Sequence, residues 1–157
     1  DNLIIGLPSP TDQQILDAAS KTGLDKIIKA HPKGLGIEIS EGGRGLSGGQ
    51  RQVVGLTRLI LAKPKVIILD EPTASMDNEL EAFIMKGLFQ SMPKDTTVII
   101  ATHKLSLLNF VDRVTLLNKG QILIDGPRNE VIQKIASLNS NVKKFDPSLK
   151  PSRASQS

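Results

Sequence analysis

Cysteine, tryptophan and tyrosine are absent from this 157-residue chain, and phenylalanine occurs four times. Without cysteine there is no disulfide framework and no thiolate metal site. With so few aromatic rings there is little on which nucleic-acid bases could stack. No apolar run approaches the roughly 20 residues that span a bilayer, and no charged-then-apolar leader pattern is present. The net charge is +4, but Lys143, Lys144, Lys150 and Arg153 against Asp146 place most of it in the last 21 residues. Basicity confined to a tail is a poor footprint for nucleic acid, and none is expected as a partner.

What remains is a chain with 39% apolar and 23% charged residues, enough for one domain with a sizeable core. It begins with Asp1, not Met, and enters at once on an apolar run, so it is expected to be a piece of a longer protein.

Apolar periodicity and punctuation divide the chain. Pro10-Thr11-Asp12 opens a helix with Ile15, Leu16 and Ala19 on one face, stopped by Gly23. A second short helix carries Leu24, Ile27 and Ile28 and ends at His31-Pro32. Lys33 to Gly45 contains five glycines and is expected as loop or a short extended piece. Ser47-x-x-Gln50 has capping-box spacing, and the helix it opens runs to about Ala62 with Val53, Leu56 and Ile60 inward. Residues 66–70 and 97–102 are short continuous apolar runs, expected as parallel strands buried on both faces. Between them a helix over 79–91 should turn Leu80, Phe83, Ile84 and Leu88 inward. A short helix starts near Ser106, and Arg113–Asn118 and Gln121–Asp125 form a hairpin across Lys119-Gly120. Pro127 should open a last helix over 127–137. The expected class is α/β, with a helical lobe over 1–62, a strand-and-helix core over 63–137 and a polar, disordered tail over 138–157.

Four groups of residues could carry chemistry. Ser47-Gly48-Gly49-Gln50 stands at a helix start, where glycines let backbone approach an anion and the helix end is electropositive. A capped helix behind a flexible connector is the plainer reading. Asp70-Glu71 ends an apolar strand, where one carboxylate could hold Mg²⁺ through water and the next could orient or deprotonate a water. An acidic pair heading a turn is the alternative. His103 follows the second strand and could hydrogen-bond a phosphate, or serve as a polar cap. Asp77, in Ala74-Ser75-Met76-Asp77, could cap the next helix or touch a second subunit.

Taken in order, LSGGQ, an apolar strand ending Asp70-Glu71-Pro72-Thr73, then Ser75-Met76-Asp77, then a strand ending Thr102-His103, these groups resemble the nucleotide-binding domain of ABC transporters over residues 1 to about 136. The resemblance implies an incomplete RecA-like ATPase domain. Ser47, Gly48, Gly49 and Gln50 then form the signature loop that contacts ATP in trans, and Asp70 is the Walker B aspartate near Mg²⁺. Glu71 is the catalytic glutamate, Ser75 and Asp77 belong to the dimer-facing D-loop, and His103 is the switch histidine.

Asn2–Pro8, His31–Gly34 and Glu41–Gly45 resemble the exporter branch, type I protein-secretion ATPases in particular. Glu41 falls where exporters couple to the membrane domain. The implied partners are a second nucleotide-binding domain, a transmembrane domain and, for type I secretion, an adaptor and an outer-membrane channel. The implied place is the cytoplasmic face of the inner membrane. A soluble ABC-type ATPase of DNA repair or translation, and a non-catalytic truncated partner subunit, remain as alternatives.

The departure from the family is the missing G-x-x-x-x-G-K-[ST]: Lys and Gly adjoin only in reverse, at Lys33-Gly34, Lys86-Gly87 and Lys119-Gly120. The Walker A half is therefore absent from this sequence. Sheet edges left open by that absence would favour a homo-oligomer or strand exchange. Light scattering should accordingly show mass rising above 16.9 kDa with concentration; a strictly monomeric solution at high concentration would contradict it.

Overall fold

The computed structural model describes residues 3–4, 6–7, 9–36 and 45–145. Two compact units, Asp1–Phe110 and Val111–Ser157, divide it.

In the first unit, helix α1 (Asp12–Thr22) starts on a capping box. Thr11 Oγ1 accepts the Gln14 N–H at 3.2 Å, and Thr11 N–H donates to Gln14 Oε1 at 2.8 Å. Gly23, at φ 74°, ends α1 and leads into α2 (Leu24–Ala30). A single 3-10 turn covers Gly34–Gly36. Helix α3 (Gly48–Ala62) opens on a second capping box formed by Ser47 and Gln50. Strand β1 (Val66–Asp70), helix α4 (Asn78–Ser91) and strand β2 (Thr97–Ala101) then make a parallel β-α-β unit, with Val66 opposite Thr97 and Asp70 opposite Ala101. A 3-10 helix over Leu105–Phe110 closes the unit.

Its core joins α1, α3, α4 and β1. Ala19, Leu56, Ile67, Ile84 and Met85 are all buried within one cluster. The helices before residue 63 thus share their apolar core with β1 and α4. Between α1 and α3 the buried hydroxyls of Thr22 and Thr57 share a hydrogen bond of 2.6 Å.

Three expectations need correction here. β1 and β2 are covered on one face: Val66, Ile68 and Ile99 are 58%, 74% and 53% exposed, because the helices of this unit all serve the side holding Ile67 and Leu69. Phe83 is 46% exposed beside the Lys26 ammonium, while Glu81 and Met85 take inward positions on α4. The short helix after β2 begins at Leu105 and is of the tighter 3-10 kind.

In the second unit, β3 (Arg113–Asn118) and β4 (Gln121–Pro127) pair antiparallel. Lys119 and Gly120 at the tip have φ of 48° and 76°, the left-handed pair that a tight hairpin needs. Pro127 is the last residue of β4, not the first turn of a helix. Helix α5 runs from Arg128 to Phe145, past the end expected at 137, and buries Val131. Residues 146–157 of the expected tail lie outside the described residues, as does Glu41 with Gly42-Gly43-Arg44. Among the described residues no helix is long and apolar enough to cross a membrane.

At Gly87 of α4 an added Cβ would sit 2.2 Å from the Lys21 carbonyl oxygen of α1. Gly87→Ala should therefore destabilise the chain by about 1–3 kcal/mol from overpacking, despite the gain of roughly 1 kcal/mol in helix propensity. Gly55→Ala, with open space around it, should instead stabilise by up to about 1 kcal/mol. Urea unfolding midpoints of the two variants decide the matter.

Candidate functional site

The site begins where β1 ends. Glu71 follows Asp70 and adopts φ 43°, a left-handed conformation uncommon for a residue with a side chain. Its N–H extends the ladder to the Ala101 carbonyl at 2.9 Å. The chain then turns sharply, with Ala74 N–H on the Glu71 carbonyl at 3.2 Å and Met76 N–H on the Thr73 carbonyl at 3.1 Å.

The Glu71 carboxylate bridges to the end of β2. Oε2 accepts from Thr102 Oγ1 at 3.2 Å, and Oε1 accepts from the His103 backbone N–H at 2.9 Å. His103 Nε2 lies 3.9 Å from the same Oε1, and the imidazole is fully exposed. The Asp70 side chain is exposed at the same strand end. The partly buried carboxylate and the exposed imidazole therefore stand side by side at the end of the sheet.

The second part is the tip of α3. Ser47 Oγ accepts the Gln50 N–H at 3.2 Å, and Ser47 N–H donates to Gln50 Oε1 at 2.9 Å. The capping box thus engages Ser47 Oγ and Gln50 Oε1 as acceptors within the helix end, leaving the Gly48 and Gly49 N–H groups of the first turn for another acceptor. Both glycines press on the turn after Glu71. A Cβ at Gly48 would lie 3.1 Å from Ser75 Oγ, and one at Gly49 would lie 3.2 Å from the Ser75 carbonyl oxygen. Asp77 caps α4, its Oδ1 accepting the Leu80 N–H at 2.8 Å.

Ser47–Gln50, Ser75, Glu71 and His103 thus form one continuous path of contacts, with Asp70 at its edge. Glu41 lies outside the described residues. The path also includes residues for which the sequence offered no reading. Gln52, half-buried on α3, donates from Nε2 to the Glu71 carbonyl at 3.1 Å and accepts the Ser75 N–H on Oε1 at 3.3 Å.

Beneath the turn, Glu81 is 1% exposed. Thr73 Oγ1 donates to its Oε2 at 2.6 Å, Lys104 Nζ stands 2.9 Å from the same atom, and Ser106 Oγ donates to Oε1. Lys104 Nζ also donates to the carbonyls of Thr73, at 2.7 Å, and Met76, at 3.0 Å. A signal for Glu81 does stand in the sequence: it shares one helical stripe with Ile84, Met85 and Leu88.

The family model for ABC transporters matches residues 2–74. ABC transporter B family member 14 of Arabidopsis thaliana is 37% identical over 133 residues, 85% of this chain and 11% of its own length. An ATP-binding/permease protein of Staphylococcus aureus named for multidrug export is 34% identical over 134 residues, 85% of this chain and 23% of its own. The chain thus spans a quarter or less of these relatives. A bacterial Atm1-family ABC exporter solved with ATP bound superposes with a TM-score of 0.75 at 24% identity, covering 95% of this chain and 26% of that one. At that identity the likeness is one of fold.

Burial alone would raise the Glu81 pKa, but the hydrogen bonds from Ser106, Thr73 and Lys104 and the Lys104 charge outweigh it and hold the carboxyl below 4.5. A folded-state pKa that is lowered contributes stability above the unfolded value, lost as pH falls through the folded one. Glu81→Gln should cost roughly 3 kcal/mol at pH 7, since it leaves Lys104 without its counter-charge. The gap between wild type and variant should close below pH 4.5. Asp125, lowered by its hydrogen bond from Arg113, falls with acid in both proteins, so the difference between two urea series isolates Glu81.

Proposed function

The chain belongs to the ABC transporter family, and we propose that it is the C-terminal part of the ATP-hydrolysing domain of a membrane exporter. The observation that carries this reading is the contact path from Gly48-Gly49 through Ser75 and Gln52 to Glu71 and His103. It gathers an anion-ready helix tip, a turn and a carboxylate–imidazole pair within one compact unit.

In the intact protein two such domains meet head to tail. Ser47, Gly48, Gly49 and Gln50 contact the triphosphate bound by the partner domain, and Ser75 and Asp77 lie toward that partner. Glu71 accepts a proton from, or orients, the water that attacks the terminal phosphoryl group. The exposed His103 ring donates a hydrogen bond as charge develops on that group.

The donor set suits Mg²⁺: a hard, exposed carboxylate at Asp70, and, among the described residues, no cluster of three or more side chains able to hold a metal alone. Asp70 would hold the ion through water while substrate phosphates complete its shell. Bound there, Mg²⁺ neutralises phosphate charge.

Residues 1–62 act as the signature segment and the residues from 63 on as the rest of the core. Glu41 is the contact to the transmembrane domain, and the site works at the cytoplasmic face of the inner membrane. The similarity to exporters supports this over a soluble repair or translation ATPase. Protein cargo, with a type I adaptor and outer-membrane channel, rests on the three segments 2–8, 31–34 and 41–45; the S. aureus relative's name favours small molecules instead.

Alone, this chain lacks a lysine-bearing phosphate loop. Its ATP affinity should be weaker than about 1 mM, and hydrolysis should be undetectable; micromolar binding by calorimetry would overturn this. In the intact exporter, Glu71→Gln should lower the hydrolysis rate about 10²- to 10⁴-fold with nucleotide affinity retained. A full rate in that variant would remove Glu71 from the reaction.

A further inference from the structure

Gln52 lies one turn into α3, behind the glycine tip, and is half-buried between two backbone segments. A side-chain amide donates and accepts at once. Here the donor half takes the Glu71 carbonyl at 3.1 Å and the acceptor half takes the Ser75 N–H at 3.3 Å. Both ends of the turn that carries the carboxylate are therefore held by one side chain from another helix.

Such a hold matters at this point. Glu71 stands at φ 43°, and a non-glycine residue stays there only where its surroundings over-determine it. Ala101 holds its N–H, and Thr102 and His103 hold its carboxylate. All three of these holds come from β2 and its end. Gln52 supplies the hold from the helix that bears the glycine tip. Gly48 and Gly49 meet the same turn at Ser75, so tip, turn and carboxylate keep a set spacing.

We propose that Gln52 is a positioning residue for ATP hydrolysis, acting through the Glu71 carbonyl and the Ser75 amide to set the carboxylate-bearing turn against the tip of α3. This rests on the function proposed above. Neither hydrogen bond touches a ligand, so the effect belongs on the rate of the chemical step and not on substrate capture. Three requirements select the amide. Glutamate would keep an acceptor for Ser75 but lose the donor to Glu71. Leucine would keep the volume and lose both. A longer side chain would displace the turn.

The test uses the full-length exporter, with wild type, Gln52→Leu and Gln52→Glu compared in three measurements. These are steady-state ATPase kinetics, hydrogen–deuterium exchange of the peptide spanning 72–77, and a thermal melt. In Gln52→Leu the Ser75 amide should exchange faster, and kcat should fall about ten- to a hundredfold with KM changed by less than about threefold. In Gln52→Glu the Ser75 amide should keep its protection while kcat still falls.

The inference is overturned by a wild-type kcat in both variants, by a loss confined to KM, or by unaltered exchange in Gln52→Leu. If Gln52→Leu does not fold, Gln52→Glu decides alone, and an unchanged kcat there overturns it. A wild-type exporter without ATPase activity would refute the function proposed above, whereas an active wild type with insensitive variants refutes only the role of Gln52.

Discussion

The parallel register of β1 and β2, with Asp70 opposite Ala101, decides where every polar group of the site stands. Parallel neighbours end at the same edge of a sheet, so the residues that follow them meet. Glu71 and Thr102-His103 are those residues. The Glu71 N–H adds one more rung to the ladder before the backbone turns over, which aims its carboxylate at the end of β2. A slip of one residue would carry Ile67 and Leu69 out of the core and turn the carboxylate to the opposite face. The apolar cluster that buries those two side chains is therefore also what keeps the site assembled.

A buried charge makes the turn rigid from below. Glu81 is taken out of water, which by itself is costly, while Lys104 beside it stays partly exposed. Their compensation is complete: Thr73, Ser106 and two backbone carbonyls satisfy what the pair leaves open. Among the described residues no buried side-chain nitrogen or oxygen lacks a partner. Two apolar residues of equal volume could pack in the same space, but they could not hold the Thr73 and Met76 carbonyls in place. The network specifies a geometry, and it does so next to His103 because Lys104 is the following residue. Backbone turn and α4 are thereby joined through one ammonium group, on the residue that follows His103.

Much of this was legible in the sequence, for reasons that differ element by element. Both capping boxes, Thr11/Gln14 and Ser47/Gln50, are local: four residues contain the whole interaction, so spacing alone reveals them. The helices they open and the Lys119-Gly120 turn follow from the same short-range chemistry. The strands were legible as strands, but their burial was not. Whether Ile68 faces core or solvent depends on which other elements cover the sheet, and no pattern within five residues contains that. Phe83 was misplaced because its stripe lies one position from that of Glu81, Ile84, Met85 and Leu88, and a carboxylate on the inward stripe reads at first as an error. Pro127 suits a helix start and a strand end equally, since neither position needs the N–H that proline lacks. The pairing of Gln52 with Glu71 and Ser75, 19 and 23 residues away, was invisible because only tertiary structure brings them together.

The two glycines of the α3 tip show how one residue choice answers two demands. Read locally, a missing Cβ admits an anion to backbone N–H groups. In the folded chain, Ser75 already occupies the close approach that Gly48 and Gly49 permit, at 3.1 and 3.2 Å from where their Cβ atoms would be. The glycines are thus required by the packing of the tip on the turn before any ligand arrives. This does not weaken the anion reading, because N–H groups and Cβ positions of a helix's first turn point in different directions. It does change what the tip is. A glycine-rich end standing free would bend to its ligand, whereas one seated on Ser75 and tied by Gln52 presents its N–H groups in a fixed frame. Any movement of the tip must then be shared with the turn that carries Glu71.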